Sequence, residues 1–285
     1  MSIAGPVIDW FAVNGRDLPW RRPGFTPWGA LVSEFMLQQT PVNRVLPKLA
    51  EWLERWPTPA ALADASPGDA VRAWDRLGYP RRALNLHATA VAIVERHGGV
   101  VPSDVPSLLA LPGIGDYTAR AVSVFAYGQR HPVVDINIRR VIARAVLGLS
   151  DPGPAAKRDL ADMEALLPES RDDAKAFNAG IMELGALVCV ARTPRCDACP
   201  IADQCAWRAA GYPATDTAKA PKQKKYEGSD RQVRGIVLAE LRASDIPVSR
   251  NELTWPDTAQ LDRAIAGLIL DGLIVDTGDA YELPS

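Results

Sequence analysis

All four cysteines of this 285-residue chain fall within one stretch, "CVARTPRCDACPIADQC". They are Cys189, Cys196, Cys199 and Cys205, spaced C-x6-C-x2-C-x5-C. Four thiols on a short loop around a central C-x-x-C turn are placed to wrap one metal centre once they ionise. Three chemistries share this pattern: two structural disulfides, a tetrahedral zinc site, or a 4Fe-4S cluster on four thiolates. The N-terminus "MSIAGPVIDWFAVNG" has no basic region leading into an apolar core, and no apolar run approaches a membrane span. A cytoplasmic chain is therefore expected, and there disulfides are disfavoured. Folding the loop around a metal would make "VARTPR" a rigid basic projection, with Arg192 and Arg195 either contacting phosphates or simply solvated.

Two carboxylates invite a second chemistry. Glu34, in "SEFMLQQT", sits beside Phe35, Met36 and Leu37. It lies either on the polar face of an exposed helix or partly buried, where a raised pKa would suit a general acid. Asp135, in "HPVVDINIRRVIARAV", ends an apolar run and precedes a clear helix. It reads as an N-cap, which is compatible with a carboxylate at the mouth of a cleft kept ionised by the helix N-terminus. Carboxylates in two environments, one protonated and one ionised, are the usual division of labour for cleaving a glycosidic bond.

Between these acids lies "LPGIGDYTARA", residues 111–121. Gly113 and Gly115 permit unusual backbone angles, and Asp116 is a candidate N-cap for the following helix. Backbone N–H groups in such a turn, followed by a helix start, form an anion site. The full "LPGIGxxTA" pattern points to a helix-hairpin-helix, residues 107–127, gripping a DNA phosphate. Tyr117 stands at the mouth of that helix without an evident packing duty.

The elements that must position these groups are helical. "VIDWFAVNG", "LVSEFMLQQT", "PKLAEWLERW", "RALNLHATAVAIVERHG" and "YTARAVSVFAYG" repeat apolar residues at three- and four-residue spacing, and strand-like alternation is nearly absent before residue 225. The fold class expected is mainly α. "GYPATDTAKAPKQKK" (211–225) reads as a linker. After it, "DRQVRGIVLAELRAS", "SRNELTW" and "TAQLDRAIAGLILDG" suggest three helices, and "LIVDTGDAYEL" two strands about a turn. That is the pattern of a winged-helix-like module at 226–285. A net charge of −2 argues against a uniformly basic surface, yet a local stripe of Arg and Lys suffices for a nucleic-acid partner.

Taken together, "LPW", "SEFMLQQT", "RLGYPRRALNLH", "LPGIGDYTARA", "VVDINIRR", "MELGALVC" and the cysteine loop resemble the MutY-type adenine DNA glycosylases. These belong to the endonuclease III superfamily of helix-hairpin-helix repair enzymes. The likeness covers about residues 8–210 and implies a two-lobed fold. An N-terminal helix (1–20) would pack with an iron-sulfur lobe (131–210), beside a six-helix lobe (21–130). It implies a 4Fe-4S cluster on the four cysteines and a mismatched or damaged DNA duplex as partner, bound by a monomer in the cytoplasm, at the nucleoid.

It also implies roles. Glu34 would protonate adenine, Asp135 would stabilise the sugar cation, and Asn137 would position Asp135. Gln39, with Gln38 beside it, would fill into the duplex, and Tyr79 would wedge beside the oxidised guanine. Arg21, Leu37 and Ala179 would line the base pocket. Lyase members carry a lysine where this chain has Tyr117, so base removal without backbone cleavage is implied. The chain departs from the family at Pro80, where a second Tyr is common. It departs again at Ala179, where Gln or Glu is common, so removal of thymine or uracil is the alternative activity. Residues 226–285 are too short for the MutT-like domain with which the family commonly ends.

Overall fold

A computed structural model describes residues 2–214 and 225–285, so residues 215–224 of the expected linker lie outside the described residues. The helices are α1 (Ala4–Asn14), α2 (Pro27–Leu37), α3 (Val42–Arg55), α4 (Pro59–Ala63), α5 (Pro67–Trp74), α6 (Arg81–His97), α7 (Val105–Leu109) and α8 (Asp116–Tyr127). They continue with α9 (Ile136–Ala145), α10 (Arg158–Glu164), α11 (Arg171–Leu187), α12 (Ala206–Ala209), α13 (Asp230–Ala243) and α14 (Thr258–Leu270). The chain divides into two compact units. One holds residues 1–30, 103–106 and 115–220; the other holds 31–102, 107–114 and 221–285.

In the first unit α1, α9 and α11 share an apolar core that includes Val7, Ile138, Ile142, Phe177, Ile181 and Leu184, all at most 4% exposed. Its helices start where the sequence supplies a cap. The Ser170 hydroxyl accepts from Asp173 N–H to open α11, and the Asp135 carboxylate accepts from Ile138 N–H to open α9. Gly185 sets the approach of α9 to α11, because a Cβ there would lie 2.8 Å from both Cβ and O of Asn137. The backbones therefore touch at the level of Asn137. Asp116 is not the cap of α8: Gly115 occupies that position in extended backbone, and Asp116 is the first helical residue, bonded 2.9 Å to Arg120 one turn on. The i,i+4 ion pair takes the carboxylate that a cap would have used.

In the second unit Trp52 meets Trp56 and Trp74 edge to face, with ring centroids 4.6 and 5.6 Å apart. Thr58 and Ser66, each followed by Pro, cap α4 and α5. The C-terminal segment of this unit contains α13, α14 and a three-stranded antiparallel sheet, β1 (Val248–Ser249), β2 (Val275–Asp276) and β3 (Ala280–Glu282), in the order β1-β3-β2. The expected hairpin is β2-β3. The helix expected at "SRNELTW" is absent: Ser249 pairs with Ala280 and its N–H bonds to Glu252 Oε2 at 2.7 Å, closing a turn. A strand residue at one end and Pro256 at the other leave too little chain for a helix nucleus. The segment is fastened to α5 by exchanged arginines. Arg72 donates to the carbonyls of Arg242 and Ser244, Arg242 donates to Val71 O, and Gly68 N–H donates to Pro284 O.

Candidate active site and cluster loop

Asp135 is built into the start of α9. Its Oδ1 accepts from Ile138 N–H at 2.7 Å and its Oδ2 from the Asn137 amide at 2.7 Å. Both donors are uncharged. Burial pushes the carboxyl above its ordinary range, while the bonds from Ile138 and Asn137 oppose that shift. The cap expected from the sequence is present, and beside the helix start that favours the ionised form, desolvation is the largest influence on this carboxyl.

From Asn137 the contacts run on. Its Oδ1 accepts from Arg140 Nη2 at 2.7 Å, and Arg140 also donates to Gly185 O at 2.6 Å and Cys189 O at 2.7 Å. One turn along α9, Arg144 donates to the carbonyls of Val190 and Ala191 at 2.8 and 2.9 Å and reaches Cys189 Sγ at 3.5 Å. Its guanidinium lies 4.8 Å from the Trp207 ring centroid. Two arginines spaced i,i+4 in "RRVIAR" thus fasten the segment that follows α11. Arg192 and Arg195 are both exposed on that loop.

The four cysteines are free thiols lining one recess, walled by Val141, Ala145, Leu184, Val188 and Ile201. None of them is paired in a disulfide. Burial pushes the Cys199 thiol up to about 11 and raises that of Cys189, so thiolates need an internal counter-charge. Among the described residues no group of three His, Cys, Asp or Glu side chains is disposed to hold a single metal ion. Four cysteines around one apolar recess supply the four thiolates that a 4Fe-4S core takes.

A buried carboxylate that the sequence reading missed lies on α11. Glu183 is 1% exposed and receives Arg16 through its backbone N–H, Nε and Nη2 at 2.7–3.0 Å. Arg21 adds Nη1 and Nη2 at 3.1 and 2.9 Å. These bonds bring its pKa down to about 2 against the desolvation. Arg21 is thereby engaged with Glu183, and its guanidinium also stands 5.0 Å from the Phe11 ring centroid. Ala179 is half-buried on α11, one turn before Glu183. The one signal in the sequence was a Glu set among apolar residues in "IMELGAL".

The remaining residues divide between the units. Tyr117, near the start of α8, packs against the cluster of Ala121, Val124 and Val133, in the unit that holds Asp135. Glu34, Leu37, Gln38, Gln39, Tyr79 and Gly113 belong to the other unit. Glu34 is 9% exposed on α2, so of its two readings the buried one applies. Gly113 has φ +70°, and a Cβ there would lie 2.7 Å from Asn85 Cβ, so only glycine fits this turn. Thr89 on α6 secures the turn by bonding Pro112 O at 2.5 Å. Gln39 and Tyr79 are exposed, with φ of +54° and +47°. Side chains with a Cβ adopt that region at a cost of about 1–2 kcal/mol.

Residues 32–166 match the model of the HhH-GPD superfamily base excision DNA repair proteins, and residues 189–205 match the iron-sulfur binding domain of endonuclease III. The chain is 54% identical to the adenine DNA glycosylase of Mycobacterium tuberculosis, over 99% of this chain and 96% of that one. It is 38% identical to the thymine/uracil-DNA glycosylase of Pyrobaculum aerophilum, over 69% of this chain and 87% of that protein. A solved thermostable thymine-DNA glycosylase superposes with a TM-score of 0.67 at 26% identity, covering 73% of this chain and 95% of its own. The first of these likenesses runs the full length, C-terminal segment included. The chain belongs to the adenine DNA glycosylases of the HhH-GPD superfamily and carries their 4Fe-4S cofactor.

Proposed function

We propose that this protein removes adenine mispaired with 8-oxoguanine or guanine from duplex DNA, leaving an abasic site with the backbone intact. The observation that carries the proposal is the seat of Asp135: a desolvated carboxylate held by uncharged donors of Ile138 and Asn137, with no cation bonded to it among the described residues. An anion in such a seat interacts strongly with positive charge that develops beside it, because little water screens the pair.

In this reading the adenine nucleotide leaves the stack. Glu34 gives its proton to N7, the bond from C1′ to N9 breaks with its electron pair going to the base, and the sugar becomes an oxocarbenium cation facing Asp135. Water then adds to C1′ and returns a proton to the Glu34 carboxylate. Asn137 holds Oδ2 of Asp135 in place. The turn at Gly113 and Gly115 would grip a backbone phosphate through main-chain N–H groups. Gln39, with Gln38 beside it, and Tyr79 would enter the duplex, while Arg192 and Arg195 would meet further phosphates. Arg21, Leu37 and Ala179 would lie near the base. Cys189, Cys196, Cys199 and Cys205 would hold the cluster, which when bound ties that loop into one rigid body.

Single-turnover base release from matched sets of duplexes tests the assignment. Adenine release opposite 8-oxoguanine, with thymine and uracil untouched opposite guanine, is expected. Release of uracil without adenine would overturn it and favour the second reading, a thymine/uracil glycosylase, for which the small side chain at Ala179 speaks. Tyr117 separates hydrolysis from lyase chemistry, since a phenol cannot form a Schiff base. Tyr117→Lys is expected to gain strand nicking and a borohydride-stable adduct.

A further inference from the structure

Resting on that reading of Gln39 and Tyr79, we infer that Arg82 is the positioning residue that locks both side chains into one preformed duplex-entering wedge. Nothing in the sequence singles it out, since "PRRALNLH" offers neighbouring arginines at the start of a helix. The structure treats these neighbours differently. Arg81 is exposed and pairs with Asp271 at 3.3 Å, whereas Arg82 is 7% exposed.

The guanidinium of Arg82 spans two loops at once. Nη1 donates to Phe35 O at 2.8 Å, Met36 O at 3.0 Å and Gln38 O at 2.5 Å. The first two are carbonyls in the last turn of α2, which have no partner within the helix. Nη2 donates to Thr40 Oγ1 at 2.9 Å and to Gly78 O at 2.9 Å. The Thr40 hydroxyl in turn bonds Leu77 O at 3.3 Å. The residue on either side of Gln39 and the residue before Tyr79 are thus all fastened to one side chain. The guanidinium also lies 5.1 Å from the Trp74 ring centroid and 5.5 Å from that of Tyr79.

What this fastening holds is otherwise unfavourable backbone. Gln39 and Tyr79 both take positive φ, and strained conformations persist only where the surroundings over-determine them. Burial of the charge lowers the Arg82 pKa to about 10, still well above neutrality, so the guanidinium stays charged and each of its carbonyl contacts is charge-assisted. Gln39 itself is exposed and Tyr79 is 51% exposed, so neither is held by its own burial. Pro80, where the family often has a second Tyr, adds a ring that fixes φ directly after the wedge. A wedge set in advance forfeits no ordering entropy when it enters DNA.

The test is a cycle of variants in the full chain, read by single-turnover adenine release from a duplex with 8-oxoguanine. Arg82→Lys keeps the charge, but its one nitrogen cannot span both loops. Release is expected to slow by about tenfold or more. With 2-aminopurine in place of the target adenine, the fluorescence gain that reports unstacking should shrink in parallel. In a chain already carrying Gln39→Ala and Tyr79→Ala, Arg82→Lys should slow release by less than about twofold, because the groups it positions are gone. Equal slowing in both backgrounds overturns the proposal and leaves Arg82 a packing residue. If Gln39→Ala with Tyr79→Ala releases adenine at the parental rate, the reading of the wedge itself fails, and the inference with it. Should Arg82→Lys unfold by circular dichroism, Thr40→Val, which removes one of the two acceptors of Nη2 at constant shape, enters the same cycle with the same deciding outcomes.

Discussion

Asp135, half-buried, and Glu183, buried, are carboxylates of the same unit, and the protein treats them in opposite ways. Glu183 is enclosed by the guanidinium groups of Arg16 and Arg21, and its pKa falls to about 2. Asp135 is held by the backbone N–H of Ile138 and by the side chain and backbone of Asn137, with Arg140 acting on it only through space, and its pKa rises. The nearest guanidinium in that network, Arg140, bonds to Asn137 and stops one residue short of the acid. A carboxylate already neutralised by two cations has spent its attraction within the fold. One supported by neutral dipoles keeps it for a cation that arrives from outside. The difference separates a structural acid from one suited to a glycosyl cation, although both are hydrogen-bonded and withdrawn from bulk water.

The comparison breaks most sharply at Asp135 itself. Asp135→Asn keeps the cap, since Asn caps helices as well as Asp, but removes the charge. Adenine release measured in single turnover should fall by about a thousandfold or more, with DNA affinity nearly unchanged and the melting temperature no lower. Turnover at the parental rate would defeat the assignment of Asp135.

At Glu183 the same charge removal should leave its mark on stability. Glu183→Gln leaves Arg16 and Arg21 facing a neutral group, and breaking a buried pair costs about 3 kcal/mol, the low end of the usual range because Arg16 is 38% exposed. Urea unfolding at neutral pH measures this. The acid limbs carry opposite signs. Glu183 has a folded pKa below its ordinary 4.5, so its contribution is present above that value and is lost as pH falls toward about 2. Asp135 has a folded pKa above its ordinary 3.8, so its ionisation costs stability at neutral pH, and that cost is relieved as pH falls through its folded pKa. Glu183→Gln should therefore flatten acid unfolding below pH 4.5, and Asp135→Asn should not.

Between these extremes lies Asn137. Asn137→Ala removes one of the two donors to Asp135 and leaves the Ile138 N–H, so the seat loses geometry but not its neutral character. Losing a hydrogen bond to a charged group costs about 1.5–3 kcal/mol, so base release should slow by about ten- to a hundredfold. Restoration of most of the rate by Asn137→Ser, a smaller donor, would agree with a positioning role; equal loss in both variants would not.

How much of this was legible in the sequence follows from distance along the chain. The cysteine loop, the turn at Gly113 and the cap at Asp135 are local patterns: spacing, glycine and an acid before a helix carry them. Glu183 pairs with arginines 162 and 167 residues away, and no periodicity links those positions. Arg140 and Arg144 were visible as an i,i+4 pair, but their acceptors are loop carbonyls, which every residue possesses. Arg82 was hidden for the same reason. "SRNELTW" misled because its polar and apolar order suits one helical turn, whereas the pairing of Ser249 with Ala280 is a long-range contact. Side chains that bond to main chain far away in the sequence leave no signature in residue types, and here Arg140 and Arg82 do so at the two candidate sites.

The smallest predicted effect tests whether the ion pair of Glu183 bears on base choice. Ala179 precedes Glu183 by one turn of α11 and is half-buried. A polar amide at this position would present a donor and an acceptor to a base edge. Ala179→Gln should raise the ratio of adenine to thymine release by about tenfold, the low end of what one base contact contributes. If the ratio stays unchanged, two further variants locate the reason. In Arg21→Lys, whose ammonium cannot bond Glu183 through two nitrogens, a changed ratio would place base discrimination at the ion pair. An unchanged ratio there as well would confine Glu183, Arg16 and Arg21 to holding α11 in place, and the contrast with Asp135 would then be complete.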